Sequence, residues 1–266
     1  MTRRVTITGG AGFIGSAVAR AALHSGLAVT VLDDLSTGYL ENLAELQGVR
    51  FLRGDVRDRE AVETALEGSD GVFHLAASVG NVRSIAEPLG DLDINARGTL
   101  VLLEAMRRKG PHRLVTSSSA AVYGETGAEP AREDAPCEPD SPYGVSKLAA
   151  EKECLCYGRL HGWQVACLRY FNVYGPRQRY DAYGNVIPIF AQRLAAGDRL
   201  VIYGDGLQTR DFVSVEDVAG ANLAAFERGA TGIFNVATGS SSRILDLAHL
   251  MMAVSGRQPG VRHDPP

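Results

Sequence analysis

The chain comprises 266 residues, 45% apolar and 22% charged, which is enough to bury a substantial core and suits one large domain, alone or with a small appendage. Its formal charge of −4 provides no broad basic field for a polyanion, so no nucleic-acid partner is expected. The opening MTRRVTITGG passes from a short apolar run straight into a glycine loop, unlike a signal peptide, and no run reaches membrane-spanning length. A cytoplasmic protein with no membrane partner is expected. Cys137, Cys154, Cys156 and Cys167 are too few for a disulfide framework and lack paired metal-ligand spacing. They read as structural or incidental thiols, and no metal is expected.

Short β-branched runs alternate with helical patterns along the chain. RRVTIT precedes a helix from Phe13 to about Ser25, LAVTVLD follows, and VRFLRGD precedes a helix near Arg59 to Glu67. GVFHLAA leads to a long helix ending near Lys109, and HRLVTSSS to a helix from about Pro142 to His161, then WQVACLRYF. This rhythm predicts an α/β fold with a Rossmann-like, doubly wound parallel sheet of six strands. After Gly175 it gives way to a tyrosine-rich loop RQRYDAYGN, a helix IPIFAQRLAAG, a strand LVIY, a GDG turn and a strand ending QTRDFVSV. Those pieces are too small to fold alone and are expected to lie on the sheet as a small C-terminal substrate-binding lid. The expected division is 1–174 for cofactor binding and 175–266 for the lid.

The first strand ends in TGGAGFIG, which sets Gly9, Gly12 and Gly15 three residues apart at the opening of a helix. Glycine allows positive φ in a tight turn and lets backbone N–H groups approach a pyrophosphate, whose charge the helix N-terminus favours. A plain strand-to-helix turn could use the same residues, but the strand before them strengthens nucleotide binding. Asp33 ends the next strand, 18 residues beyond Gly15. A carboxylate there accepts ribose hydroxyls and repels a 2′-phosphate, favouring NAD over NADP; its other reading, shared with Asp34, is a turn cap. Asp55 in RGDV is a weaker candidate for the adenine amino group.

In SPYGVSK, Tyr143 and Lys147 stand four residues apart at the start of a helix and share one face. An ammonium beside a phenol stabilises the phenolate and makes tyrosine a usable general base. The preceding strand delivers Ser117, Ser118 and Ser119 to its C-terminal end, where ligands bind in such sheets. A serine hydroxyl there can bridge tyrosine and a substrate oxygen.

Taken in order, TGGAGFIG, LDDLSTG, GDVRD, HLAA, INARGT, SSSAAVYG, SPYGVSK, LRYFNVYGPRQ and GDGLQTRDFVSVEDV resemble the extended short-chain dehydrogenase/reductases, within them the NAD-dependent epimerase/dehydratase group, over nearly the whole chain. The resemblance implies NAD as cofactor, a nucleotide sugar as substrate, and Ser119, Tyr143 and Lys147 as catalytic triad. Further cofactor contacts are implied at Phe13, Ile14, Val56, Leu75, Ala76, Ala77, Asn95, Ser117 and Tyr170. For the substrate it implies Asn172 on the diphosphate and, more weakly, Val79 and Ser84 in the sugar loop. Val186 and Ile187 open a helix whose N-terminus could meet the nucleotide, and Tyr203 could flank the base. Arg210 is the strongest phosphate candidate, because its fork grips two oxygens and the adjacent Asp211 should face the other way along a strand.

The chemistry so implied is oxidation of the sugar's 4-hydroxyl to a 4-keto sugar. Dehydratases of the group carry an Asp-Glu pair directly after the catalytic hydroxyl residue, where this chain has Ala120 and Ala121. The absence favours a 4-epimerase on a UDP-hexose or UDP-hexosamine over a dehydratase recruiting its acid from elsewhere. A non-catalytic NAD sensor is a third reading, disfavoured because binding alone needs no activated phenol. The group usually continues past a proline-rich stretch like HDPP into a segment with another phosphate-binding arginine, so either that segment lies outside these 266 residues or the site is completed differently. Helices near Gly98 to Lys109 and Pro142 to His161 resemble the group's dimer-forming pair, so a homodimer is expected.

Overall fold

The computed structural model describes residues 2–125, 127, 130–179 and 185–265. In chain order the first elements are β1 (Arg4–Thr8), α1 (Phe13–His24), β2 (Ala28–Asp33), β3 (Arg50–Arg53), α2 (Arg59–Ala65), β4 (Gly71–His74), α3 (Asn81–Ala86) and α4 (Pro88–Leu92). A π-helical turn at Asp93–Arg97 leads into α5 (Gly98–Lys109), followed by β5 (Arg113–Ser119), α6 (Pro142–His161) and β6 (Gln164–Tyr170). The chain continues through β7 (Asn172–Tyr174), α7 (Val186–Ala196), β8 (Leu200–Tyr203), β9 (Thr209–Arg210), β10 (Phe212–Ser214) and α8 (Val215–Glu227). It finishes with β11 (Gly232–Val236), β12 (Ser242–Arg243), α9 (Ile244–Ser255) and β13 (Val261–Asp264).

Strands β1, β2, β4 and β6 are buried but for at most their first residue, and β5 from Leu114 to Thr116, as a sheet covered on both faces requires. All pairings in the main sheet are parallel, in the order β11-β6-β5-β4-β1-β2-β3. The order reverses between β1 and β4, and the C-terminal ends of those strands flank the crevice where such sheets bind ligands. Six of these strands match the sequence expectation. The seventh, β11, pairs with β6 only after the chain has passed through the lid, and its GIFNV run leaves Phe234 exposed.

Two cores cover the sheet. One joins α1 and α8 around Val18, Ile7, Val218 and Phe226; the other joins α2, α5 and α6 around Val62, Met106, Leu102 and Cys154. A smaller third core, built on Phe190, Leu194, Ile202 and Ala248, holds α7, β8 and α9 together. Both α8 and β11 therefore lie beyond residue 174 yet return to the sheet. Among the described residues no helix is long and apolar enough to cross a membrane. Cys154 is buried and Cys156 exposed, as two positions two apart on a helix require.

Candidate active site

The glycine loop between β1 and α1 has no room for side chains. Gly9 has φ +69°, and a Cβ there would lie 2.6 Å from the Ala76 nitrogen; at Gly15 it would lie 2.0 Å from the Gly9 carbonyl. Gly12 caps α1 without any side-chain hydrogen bond, which leaves first-turn N–H groups for an anion. Phe13 and Ile14 form the first turn of α1, while Leu75, Ala76 and Ala77 lead out of β4 beside Gly9. At the lip, the buried Asp33 carboxylate accepts from Ala11 N at 2.9 Å and Leu35 N at 2.8 Å. Burial raises its pKa, and those two backbone bonds oppose the rise. The loop's backbone cradle and this fixed carboxylate fit a dinucleotide.

Asp55 is less free than its sequence position implies. Both its oxygens are gripped by Arg57, whose other end reaches Asp93 at 2.7 Å, and the Arg57 hydrogen bond holds the Asp55 carboxyl below its ordinary range. Val56 is buried, and a Cβ at Gly98 would come within 2.8 Å of it.

The Ser141 hydroxyl caps α6 by accepting from Gly144 N, which fixes the turn carrying Tyr143 and Lys147. Lys147 is buried and donates to Ser117 Oγ at 3.3 Å; Ser117 in turn donates to the His74 carbonyl. Ser119 Oγ accepts from Ala121 N at 3.2 Å, leaving its proton free to donate. Burial pushes the Tyr143 phenol up to about 12, which the Ser119 hydroxyl counters, and it pushes the Lys147 ammonium down to about 8. The serine strand and α6 thus meet where the glycine loop opens.

Behind this group, His74, Thr8 and Thr99 escaped the sequence reading, whereas Asn95 was implied by the family resemblance. His74 Nδ1 lies 2.7 Å from Thr8 Oγ1, and Nε2 lies 3.0 Å from Thr99 Oγ1, which itself donates to the Asn95 carbonyl. Those directions require a proton on Nε2, and burial, then the Lys147 charge, push the imidazole down to about 3, so it is neutral. Asn95 sits inside the π-helical turn, a feature that often marks functional sites. Its side chain accepts from Ser78 N and donates toward Ser78 O, Asp91 and Ser146. Asn95 therefore ties the loop after β4 to α6. Asp91, four residues before Asn95, carried no mark of its own in the sequence.

Asn172, Val186, Ile187, Tyr203 and Arg210, far apart in sequence, line one cavity of about 300 Å³ together with Gln178 and Phe212. Asn172 donates its side-chain N–H to the Asp211 carbonyl, so its amide oxygen is the group left to face a ligand. Asp211 accepts from Thr238 and Gly239 rather than pairing with Arg210, whose exposed guanidinium donates, among the described residues, to its neighbour's carbonyl. Val79 and Ser84 do not line this cavity. Val79 is exposed, whereas Ser84 is fully buried with its hydroxyl on Asn81 O, because helix α3 turns that side chain inward. Tyr170 is also buried, its hydroxyl bonded to Asn222 on α8.

A parallel sheet with a glycine cradle, a fixed carboxylate at the end of β2 and a Ser-Tyr-Lys group defines a dinucleotide-dependent enzyme of the short-chain dehydrogenase type. The chain belongs to the NAD dependent epimerase/dehydratase family, whose model matches residues 5–237. It is 37% identical over 269 residues to a UDP-glucose 4-epimerase of Mycolicibacterium smegmatis, covering 99% of this chain and 86% of that one. Among solved structures it is similar to the UDP-glucose 4-epimerase of Thermus thermophilus in complex with NAD, with 40% identity and a TM-score of 0.92 over 99% of this chain and 86% of that one. It is also similar to the UDP-N-acetylglucosamine 4-epimerase of Methanobrevibacter ruminantium in complex with UDP-N-acetylmuramic acid, at 37% identity and a TM-score of 0.95, with the same coverage.

Proposed function

We propose that this protein is an NAD-dependent nucleotide-sugar 4-epimerase that acts on a UDP-hexose or UDP-hexosamine through a transient 4-keto sugar. The observation that carries the choice of reaction is the turn Ala120–Val122. It follows Ser119 directly and offers methyl groups where an eliminating enzyme needs an acid and a base. When bound, NAD supplies the two-electron oxidant and, on return, the reductant. Gly9, Gly12 and Gly15 hold its pyrophosphate and Asp33 its ribose. Tyr143 takes the proton of the sugar 4-hydroxyl and gives it back after the ring has turned over. Lys147 stabilises the phenolate, and Ser119 holds the reacting oxygen with its free O–H. Arg210 and the Asn172 oxygen hold the diphosphate in the lid cavity, with Tyr203 beside the base.

In this reading 1–174 binds cofactor and 175–266 binds nucleotide, with α8 and β11 lent back to the sheet. We further propose a cytoplasmic homodimer formed through α3 to α6, whose outer face exposes Ile85, Leu89, Leu92, Val145 and Leu160. Relatives acting on UDP-sugars support the nucleotide. The deciding experiment incubates the purified protein with UDP- and dTDP-linked sugars and examines products by mass spectrometry and proton NMR. Inversion at C4 with unchanged mass is expected; loss of one water would make it a dehydratase, and no product with any sugar would favour an NAD sensor.

A further inference from the structure

Asp91, on α4, is 2% exposed and lies against the catalytic turn of α6. Its Oδ2 accepts from Ser146 Oγ at 2.5 Å and from Asn95 Nδ2 at 3.2 Å, while its Oδ1 has no hydrogen-bond partner among the described residues. Ser146 is the residue between Tyr143 and Lys147 on the inward face, and its hydroxyl also lies 3.0 Å from the Tyr143 carbonyl. A buried carboxylate usually has a cation or a full set of donors. This one has two neutral donors and, on one oxygen, none. We infer that Asp91 is a positioning residue of the active site, the buried anionic anchor that holds the Tyr143–Lys147 turn and acts on both side chains through its charge.

Helix packing alone needs no charge here, because serine and asparagine could satisfy one another without Asp91. An unpaired carboxylate in a water-poor pocket acts on its neighbours at much greater strength than in solvent. Its sign favours the ammonium of Lys147 and disfavours the phenolate of Tyr143, and it acts on each side chain in that direction. The other groups facing this turn are accounted for. Glu151 on α6 is paired with Arg169 of β6, His74 of β4 is neutral, Cys154 and Cys167 are buried thiols, and Ser117 and Ser119 carry no charge. Asp93, close in sequence, is occupied by Arg57 and Arg97. Asp91 is thus the carboxylate without a cation among them.

The inference rests on the catalytic roles proposed for Tyr143 and Lys147, but its test needs no substrate. In NAD-loaded protein, the ionisation of Tyr143 is followed by the tyrosinate ultraviolet difference spectrum, assigned by subtracting Tyr143→Phe in each background. Removing the negative charge in Asp91→Asn should lower the Tyr143 midpoint by roughly half to one pH unit. Where turnover is measured, both limbs of its pH profile should move to lower pH, because Lys147 also loses its proton sooner. A midpoint that stays put or rises overturns the inference, whatever happens to thermal stability. Should Asp91→Asn not fold, Ser146→Ala serves: it keeps the carboxylate but removes its closest donor, so the midpoint should rise, and an unchanged or lower value overturns the inference. Absence of turnover on every sugar would sink the epimerase reading while leaving the spectroscopic comparison intact.

Discussion

Burial holds the Tyr143 phenol near 12 even with Lys147 in place. In the proposed mechanism the further fall toward working pH would come from the positive charge of bound NAD, which would couple catalysis and cofactor binding through one hydroxyl. Tyr143→Phe keeps the ring and loses the hydroxyl; turnover should fall by about 100-fold or more, while NAD affinity, measured by fluorescence titration or calorimetry, stays within about twofold. Full activity in that variant would remove Tyr143 from the mechanism. At the same scale, the pair at four-residue spacing was readable in SPYGVSK, because a helix start converts spacing into a shared face. Asp91 was not readable. One aspartate among three polar residues in LGDLDIN has no distinguishing feature until α4 is folded against α6.

The element that orders the site is α6. Its N-terminal turn carries the Tyr143–Lys147 pair, and one turn beyond Lys147 it carries Glu151, which is fully buried. Glu151 accepts from Ser118 at 2.7 Å and from two nitrogens of Arg169 at 2.7 and 2.9 Å, while the Arg169 guanidinium lies 4.6 Å from the centre of the Tyr123 ring. Arg169 also reaches the Glu133 carbonyl and the Cys137 sulfur. This pair locks α6, β5 and β6 in register and pins the segment after the serine strand. Removing one partner of a buried ion pair strands the other charge, so Glu151→Ala should lower unfolding stability by about 3–5 kcal/mol in urea titrations. A loss below about 1 kcal/mol would mean that water reaches Arg169 and that the lock is not structural. Nothing in KLAAEKECL marks Glu151 as buried, since a glutamate on a long helix is normally solvated.

At the scale of the whole molecule, several large apolar side chains stand exposed on α3, α4 and α6. Leu89 is 82% exposed on α4, and Leu92, Val145 and Leu160 continue the apolar surface beside it. The same helices carry Asp91, Asn95, Tyr143 and Lys147 on their inner side, so a copy seated on this face would brace the catalytic turn from behind. Leu89→Asp combined with Val145→Asp should convert a dimer to a monomer in sedimentation velocity. A wild-type protein that already sediments as a monomer would overturn the proposed assembly.

The sheet, its helices and the cofactor loop were legible because they are local. Burial on both faces demands continuous apolar runs, and a tight turn under a pyrophosphate demands glycine, so both leave marks in contiguous residues. The placement of Tyr143, Lys147 and Asp33 was legible for the same reason, each tied to the start or end of one element. Tertiary structure alone decided four further things. It returned β11 to the sheet after the lid, gathered Asn172, Val186, Tyr203 and Arg210 from four segments around one cavity, and turned Ser84 and Tyr170 inward. It also set a lone aspartate against a catalytic helix, because the pairing of buried polar groups depends on which elements touch.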